Sequence, residues 1–408
     1  MAGADLIIHG GPLLDGRTGR FDDGRAVVVR AGRVVELVRE GSLPDGGEVP
    51  LLDVAGGHVT PGLIDSHCHL MVASTADPDH EHVAEAMVEA IATARALLAA
   101  GITTVRDTGS RTVAIHTLKR AIESGRVPGP RLLAAGVNVT GASAPRGWRQ
   151  ELADGPDDVR RLVREIHAAG ADLIKLVLSH APSEERWRRV HRFLDDAEIA
   201  AAAAEARALG VRTGCHCEGL PAARAAVASG VDVIDHGIGL DDAVVDEMVR
   251  RGTILVPTLW AFSTETLRDY ARTLPPEDAD DYEANVAAVH RRSFQRAHAA
   301  GVTIAAGSDP MVVGFAPDVL VREAVALRGA GLPVADVLRA LTANGAAALG
   351  LDGEVGVLEP GARADVAVFA DDPRQDLRAL ATPSLVLKDG VAVHGRPQPE
   401  RAVPAGSR

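Results

Sequence analysis

The apolar positions of this chain change their period along its length. In the first sixty residues they fall in short runs broken by turn dipeptides: Asp5-Leu6-Ile7-Ile8-His9, then Ala26-Val27-Val28-Val29-Arg30, Ala31-Gly32 and Arg33-Val34-Val35-Glu36-Leu37-Val38. Runs of that length around a Gly-containing turn predict a strand and a hairpin. The texture returns near the carboxyl end, in Ala364-Asp365-Val366-Ala367-Val368-Phe369 and in Leu385–Val393, which folds about Asp389-Gly390. Neither end holds enough strands to bury a core alone, so residues 1–60 and 353–396 are paired as one small β-sandwich formed by both termini.

Between 61 and 352, apolar runs alternate with Ala- and Arg-rich segments of helical period, among them His82–Ala100, Asp157–Ala169 and Asp195–Leu209. The runs are Gly62–Ser66, Thr103–Asp107, Arg131–Ala135, Asp172–Leu178, Val211–His216, Val231–Asp235, Ile254–Thr258 and Thr303–Gly307. They are near-continuously apolar, as strands covered on both faces are. Eight strands with helical crossovers over about 290 residues predict an α/β fold, a (β/α)8 TIM barrel carrying the β-sandwich. Residues 397–408, rich in Pro, Arg and Ala, are expected to fray.

Composition narrows the class. With 408 residues, 46% hydrophobic and 24% charged, the chain can bury a large core. A formal net charge of −13 argues against nucleic acid or an anionic membrane as partner. There is no apolar run of membrane-spanning length and no basic n-region with an apolar h-region at the start. The expectation is a cytoplasmic protein; a homo-oligomer is left open. The three cysteines, Cys68, Cys215 and Cys217, make no disulfide framework. Strand alternation turns them away from the histidines beside them, as small hydrophobes, although Cys-x-Cys spacing also reads as soft metal ligands.

The candidate chemistry sits at the strand ends, where such a barrel builds its active site. Pro61-Gly62-Leu63-Ile64-Asp65-Ser66 runs into His67-Cys68-His69. On an extended strand His67 and His69 share a face and could bite one cation, or else they are polar residues at an exposed end. The other polar residues at these ends are Lys175, His216, His236 and Asp309. Together the six are nitrogen and oxygen donors suited to Zn²⁺ and similar divalent ions. Each alone has an ordinary reading: a capped strand-end histidine, or a helix N-cap in the case of Asp309. Lys175 interrupts the apolar run Ala171–Leu178. Burial there would push its pKa down toward the neutral amine, which carbon dioxide converts to a carbamate. Two carbamate oxygens could bridge metals about 3.5–4 Å apart; the alternative is a lysine snorkelling to solvent. Candidates for substrate contact at the same rim are Arg106, Asn138, Thr140, Arg146, His180, Glu218, Thr258 and Trp260. His80, His82, His116, His167, His191, His290, His298 and His394 are read as surface or core-satisfied.

Taken together, Pro61–His69, Gly101-Ile102-Thr103-Thr104-Val105-Arg106-Asp107, Ile234-Asp235-His236-Gly237, Ala305-Ala306-Gly307-Ser308-Asp309 and Gly356–Asp365 resemble the signatures of the amidohydrolase superfamily. The likeness is strongest to its imidazolonepropionase-like and Xaa-Pro dipeptidase-like branch, and it extends over nearly the whole chain. The resemblance implies that His67, His69 and Asp309 hold the more buried of two divalent ions, expected to be Zn, and His216 and His236 the second, with carboxylated Lys175 bridging both. It implies hydrolysis of an amide C–N bond in a small molecule, such as an N-acyl amino acid or dipeptide, by a metal-bridging hydroxide with Asp309 as general base and then general acid. The chain departs from the related dipeptidases at Thr140-Gly141-Ala142-Ser143-Ala144-Pro145-Arg146, where a Gly-Gly-His-Gly-like loop is common. Arg146 could serve a substrate carboxylate there, or be a surface arginine.

Three other readings compete. A mononuclear deaminase of the same fold would lack the strand lysine and carry a glutamate three residues after the fifth-strand histidine, where here Glu218 follows His216 by two. A hydrolase of a lactone, cyclic urea or carbamate would share the mechanism. A non-catalytic scaffold would have lost donors, and none of the six is missing.

Overall fold

The computed structural model describes residues 5–43, 49–71, 80–110, 113–144, 150–179, 191–263, 265–266, 286–310 and 316–395. Arg146, His180 and the tail from 397 lie outside the described residues.

The chain ends build two sheets. One is four-stranded in the order Arg33–Arg39, Arg25–Arg30, Leu6–His9, Leu51–Asp53. Its hairpin turns on Ala31 at φ 48 and Gly32 at φ 77, the two left-handed residues that a tight two-residue turn needs. The other is six-stranded: Val391–His394, Pro383–Lys388, Val366–Phe369, His58–Pro61, Leu13–Asp15, Arg20–Asp22. Here the two ends of the chain pair directly, Val368 opposite Val59. Leu6, Ile8, Val27, Val29 and Leu52 of one sheet and Leu13, Val59, Val366, Val368 and Leu387 of the other share one apolar cluster. Side chains at every second strand position reach it, as the period of two dictates.

The middle of the chain is α/β. Leu63–Cys68, Ile102–Asp107 and Arg131–Ala134 are parallel neighbours. So are Leu173–Val177, Arg212–Glu218, Val233–Ile238 and Ile254–Val256. Helices such as His80–Ala99, Pro156–Ala168 and Asp196–Ala208 intervene. The last opens on a capping box, Asp195 and Glu198 each accepting from the other's backbone N–H. Two strands were not expected, Asn138–Gly141 and Gln150–Ala153; they are four residues each, and Asn and Gly in the first are depleted in strands. The expected eighth strand, Thr303–Gly307, makes a single bridge, Ile304 with Leu255. Its backbone bonds to both sides nonetheless: Leu255 N donates to Thr303 O at 3.0 Å, and Ser66 N donates to Ala306 O at 2.9 Å. On the opposite side, Asp172 N donates to Ala134 O at 3.0 Å, joining the two parallel groups.

Cys68, Cys215 and Cys217 are buried as free thiols in the main apolar cluster, with the helix residues Ala201, Ala202 and Ala206. This is the face that alternation assigned them. Among the described residues no helix is long and apolar enough to cross a membrane.

Candidate metal centre

His67 is the last residue but one of the strand Leu63–Cys68 and His69 follows that strand, their rings 5.2 Å apart. Asp309 comes to them from the segment after Gly307, its backbone N donating to His67 O at 2.8 Å. Oδ1 of Asp309 lies 3.8 Å from Nε2 of His67 and 3.6 Å from Nε2 of His69. These spacings are too long for hydrogen bonds, and that buried oxygen has no hydrogen-bond partner among the described residues. Donors held about 2.0–2.1 Å from a tetrahedral cation stand roughly 3.4 Å from one another. The group therefore fits one divalent ion, its donor atoms all within 4.8 Å of one another. Nδ1 of His69 is 2.8 Å from Gly109 O and must carry the hydrogen, which leaves the Nε2 lone pair facing Asp309. Thr108 Oγ1 lies 3.3 Å from the same Nε2.

Asp65 ties the two halves of this group together. Its buried carboxylate accepts from Ser308 N at 2.9 Å, Ser308 Oγ at 2.5 Å and His67 N at 3.2 Å. Burial pushes its pKa up to about 6 in spite of these donors.

The second group is His216 and His236, with His236 Nε2 2.9 Å from His216 Nδ1. His236 Nδ1 lies 2.7 Å from Thr258 Oγ1, which is itself 2.6 Å from Pro257 O. A hydroxyl has one hydrogen, and Pro257 O can only accept it. Thr258 then accepts from His236 Nδ1–H, and Nε2 of His236 keeps its lone pair. His290 Nε2 donates to His236 O at 2.9 Å, while burial pulls the His290 pKa down to about 4. Burial likewise lowers His67 and His236, the latter helped by His216 and His67, so both are neutral imidazoles, the form that binds cations. The groups adjoin, with the His67 and His236 rings 5.1 Å apart and His236 Nδ1 4.0 Å from Asp309 Oδ2.

Lys175 is 2% exposed and does not reach solvent. Burial lowers its pKa, opposed chiefly by Asp235, with which its ammonium is in direct contact. Asp235 also meets the Arg106 guanidinium, and its Oδ1 is 3.0 Å from His67 Nδ1. Burial alone would raise the Asp235 carboxyl, but Arg106 and Lys175 outweigh it and hold it well below the usual range. Asp235 is the site residue that the sequence reading did not single out. Adjacent strand residues normally face opposite sides, so assigning His236 inward left Asp235 outward. His236 adopts φ 68, and the pairing register with the preceding strand shifts at Cys217/Glu218. Both neighbours consequently reach the interior. The available signal was a carboxylate inside an apolar strand, which demands a buried cation.

The rim candidates fall in different places. Arg106, 2% exposed, is turned under the histidines, its Nε donating to Ser66 O at 2.5 Å. Thr140 Oγ1 donates to Val177 O at 2.7 Å. Asn138 is buried with its Oδ1 unpartnered among the described residues. Glu218 Oε1 is 3.4 Å from His216 Nε2. Thr258 braces His236, and Trp260 lines a cavity of about 700 Å³ with Phe262 and Arg322, whose lining includes none of the six donors. His116, read as surface or satisfied, is buried with both ring nitrogens unpartnered among the described residues. Three non-glycine residues at the site have left-handed backbones, His236, Thr258 at φ 52 and Asp309 at φ 39. Such strain costs about 1–3 kcal/mol each and clusters at functional sites.

Residues 58–393 match the model of the Amidohydrolase family. The chain belongs to that family. This amidohydrolase is 30% identical over 348 residues to an uncharacterized protein of Mycobacterium tuberculosis, covering 82% of this chain and 85% of that protein. In structure it is similar to a putative prolidase from Bifidobacterium longum, with a TM-score of 0.85 and 28% identity over 98% of this chain and 97% of that one. It is also similar to a Xaa-Pro dipeptidase with methionine bound in the active site, with a TM-score of 0.84 and 25% identity over 95% of this chain and 99% of that one. It is a metal-binding hydrolase acting on C–N bonds.

Proposed function

We propose that this amidohydrolase is binuclear and cleaves the amide C–N bond of a small N-acyl amino acid or dipeptide. His67, His69 and Asp309 would hold one divalent cation, expected to be Zn, and His216 and His236 the other, with Lys175 as its carbamate between them. The observation that carries the reading is Lys175: 2% exposed, and in contact with the Asp235 carboxylate that also lies 3.0 Å from His67 Nδ1. A mononuclear deaminase has no use for an amine at that point. The terminal sheets are read as one β-sandwich, residues 1–60 with 353–396, and the parallel strands of 61–352 as a closed (β/α)8 barrel, supported by the bonds through Thr303 and Ala306.

Bound cations would supply Lewis acidity and an activated water. The rest falls to the chain. Asp309, through Oδ2, the oxygen that faces the His236 side rather than His67 and His69, takes the proton of the attacking water and returns it to the leaving amine. Asp65 and the backbone of His67 fix the segment that presents Asp309. Gly109 and Thr258 set the ring tautomers of His69 and His236. Lys175 Nζ forms an N–C bond to carbon dioxide and releases one proton. The substrate class is supported by the likeness to the Xaa-Pro dipeptidase and the prolidase.

The test is metal stoichiometry together with a substrate panel. About two zinc equivalents per chain are expected, with turnover of N-acyl amino acids or dipeptides ahead of lactones and aminated heterocycles. One equivalent, with ammonia released from aminated heterocycles alone, would overturn the reading.

A further inference from the structure

Glu323 lies on the helix Val319–Gly329 and is 0% exposed. Each carboxyl oxygen accepts from one of two consecutive backbone amides: Leu259 N at 3.0 Å to Oε1 and Trp260 N at 2.7 Å to Oε2. Those amides directly follow Thr258, a β-branched residue held at φ 52, where such residues do not settle unless the surroundings force them to. Thr258 in turn offers the oxygen that meets His236 Nδ1 at 2.7 Å. Three consecutive residues are thus pinned, two by one carboxyl group and one by the ring it supports.

We infer that Glu323 is a positioning residue for the second metal-binding pair: by clamping Leu259 and Trp260 it fixes Thr258 as acceptor of the His236 Nδ1 proton and keeps the Nε2 lone pair of His236 facing His216. The inference rests on the reading that His216 and His236 hold a cation, and its test separates the two. A carboxyl group suits the task because its two oxygens lie in one plane and match two successive N–H groups. Glutamine keeps the shape, but sets an NH₂ against one of the two amides and leaves that donor unsatisfied.

The full-length, metal-free protein, labelled with ¹⁵N-histidine, reports ring tautomers in a long-range ¹H–¹⁵N spectrum at pH 8.5, His236 being assigned by its loss in His236→Asn. The wild type is expected to carry the His236 proton on Nδ1. Glu323→Gln and Thr258→Val should each move it toward Nε2, and the double variant should go no further than either single one. His69, held independently by Gly109, should keep its tautomer throughout and so reports that the variants are folded. A wild type protonated on Nε2, a folded Glu323→Gln with the wild-type signal, or additive effects in the double variant would each overturn the inference. If Glu323→Gln does not fold, the Thr258→Val and wild-type spectra decide it. Zinc titration against a chromophoric chelator gives the second readout. The weaker equivalent should lose about 10-fold or more in affinity in Glu323→Gln, with the tighter one unchanged, and equal weakening of both overturns the assignment. A wild type that takes a single equivalent sinks the binuclear reading, and the tautomers still decide the role of Glu323.

Discussion

Oδ1 of Asp235 lies 3.0 Å from Nδ1 of His67, and the same carboxylate faces both Arg106 and Lys175. One buried anion therefore serves two buried cations and lies against one imidazole. With the lysine as an ammonium the cluster carries an excess positive charge; as a carbamate it carries an excess negative one, which divalent cations would balance. Replacing Asp235 by Asn leaves two cations without a counter-charge, and breaking a buried pair in this way costs about 3–5 kcal/mol. Urea unfolding of Asp235→Asn should show a loss of that size, partly recovered in Asp235→Asn/Arg106→Met because the two sites couple. A loss within about 0.5 kcal/mol, the level of an ordinary surface change, would mean that the cluster is not held by this carboxylate.

Lys175 can be examined directly. Wild-type protein loaded with zinc in ¹³C-bicarbonate is expected to give a carbamate carbonyl signal in the ¹³C spectrum. Lys175→Ala should lack it and should retain only the metal equivalent held by His67, His69 and Asp309. An unmodified amine in zinc-loaded wild type would remove the bridge.

Asp309 is expected to matter for turnover more than for binding. Asp309→Asn keeps an oxygen donor but loses the basicity that proton transfer needs, a contribution of about 10²–10⁴-fold. kcat should fall by that much while zinc content stays near the wild-type level. A variant of near-normal rate would take the general-base role away from this residue.

The strands and the donors were legible from sequence for different reasons. Runs such as Ile102–Asp107 and Leu173–Val177 are apolar because both faces are covered, so their period is blunt but their boundaries fall within a residue or two of the expectation. Asn138–Gly141 gave no such signal, since its pairing with Gln150–Ala153 is a long-range contact that local propensity does not carry. His67, His69 and Asp309 could be gathered by placing each at the end of an expected strand, where an α/β barrel builds its site. Asp65 and Glu323 could not, because each acts through backbone amides that meet only after folding, and Asp235 left only the signal of a carboxylate inside an apolar run. The left-handed backbone of His236 also breaks the strand alternation by which a residue's facing is read from sequence.

The cysteines offer a simpler check. Cys68 and Cys217 are buried, and their thiols are pushed well above the usual value, Cys68 chiefly by burial and Cys217 by its hydrogen bond with Cys215 and by burial. Thiolate supply and access are both withheld, so reaction with an alkylating reagent should be negligible in the native protein and complete in urea. Native labelling of either would show that the helix-covered face of these strands opens.

Glu323 should leave a mark on the pH dependence of stability. Burial raises its pKa from 4.5 to about 8 against two donating amides. Between those values the folded state holds a proton that the unfolded chain has lost, so stability falls as pH rises and levels off above the folded pKa. His290 acts in the opposite sense: lowered from 6.5 to about 4, it makes stability rise with pH over that interval, while Asp65, raised to about 6, is half-titrated there. From pH 6.5 to 8 the residual titration of both is shared by wild type and Glu323→Gln, so the difference between the two proteins reports Glu323. At about 1.4 kcal/mol per unit, wild type should lose roughly 2 kcal/mol across that window relative to Glu323→Gln, which does not titrate. Urea midpoints measured for both proteins at each pH give the difference directly. A difference that does not change with pH would mean that the two amides keep the carboxyl ionised at neutrality, and that burial is not the stronger influence on this side chain.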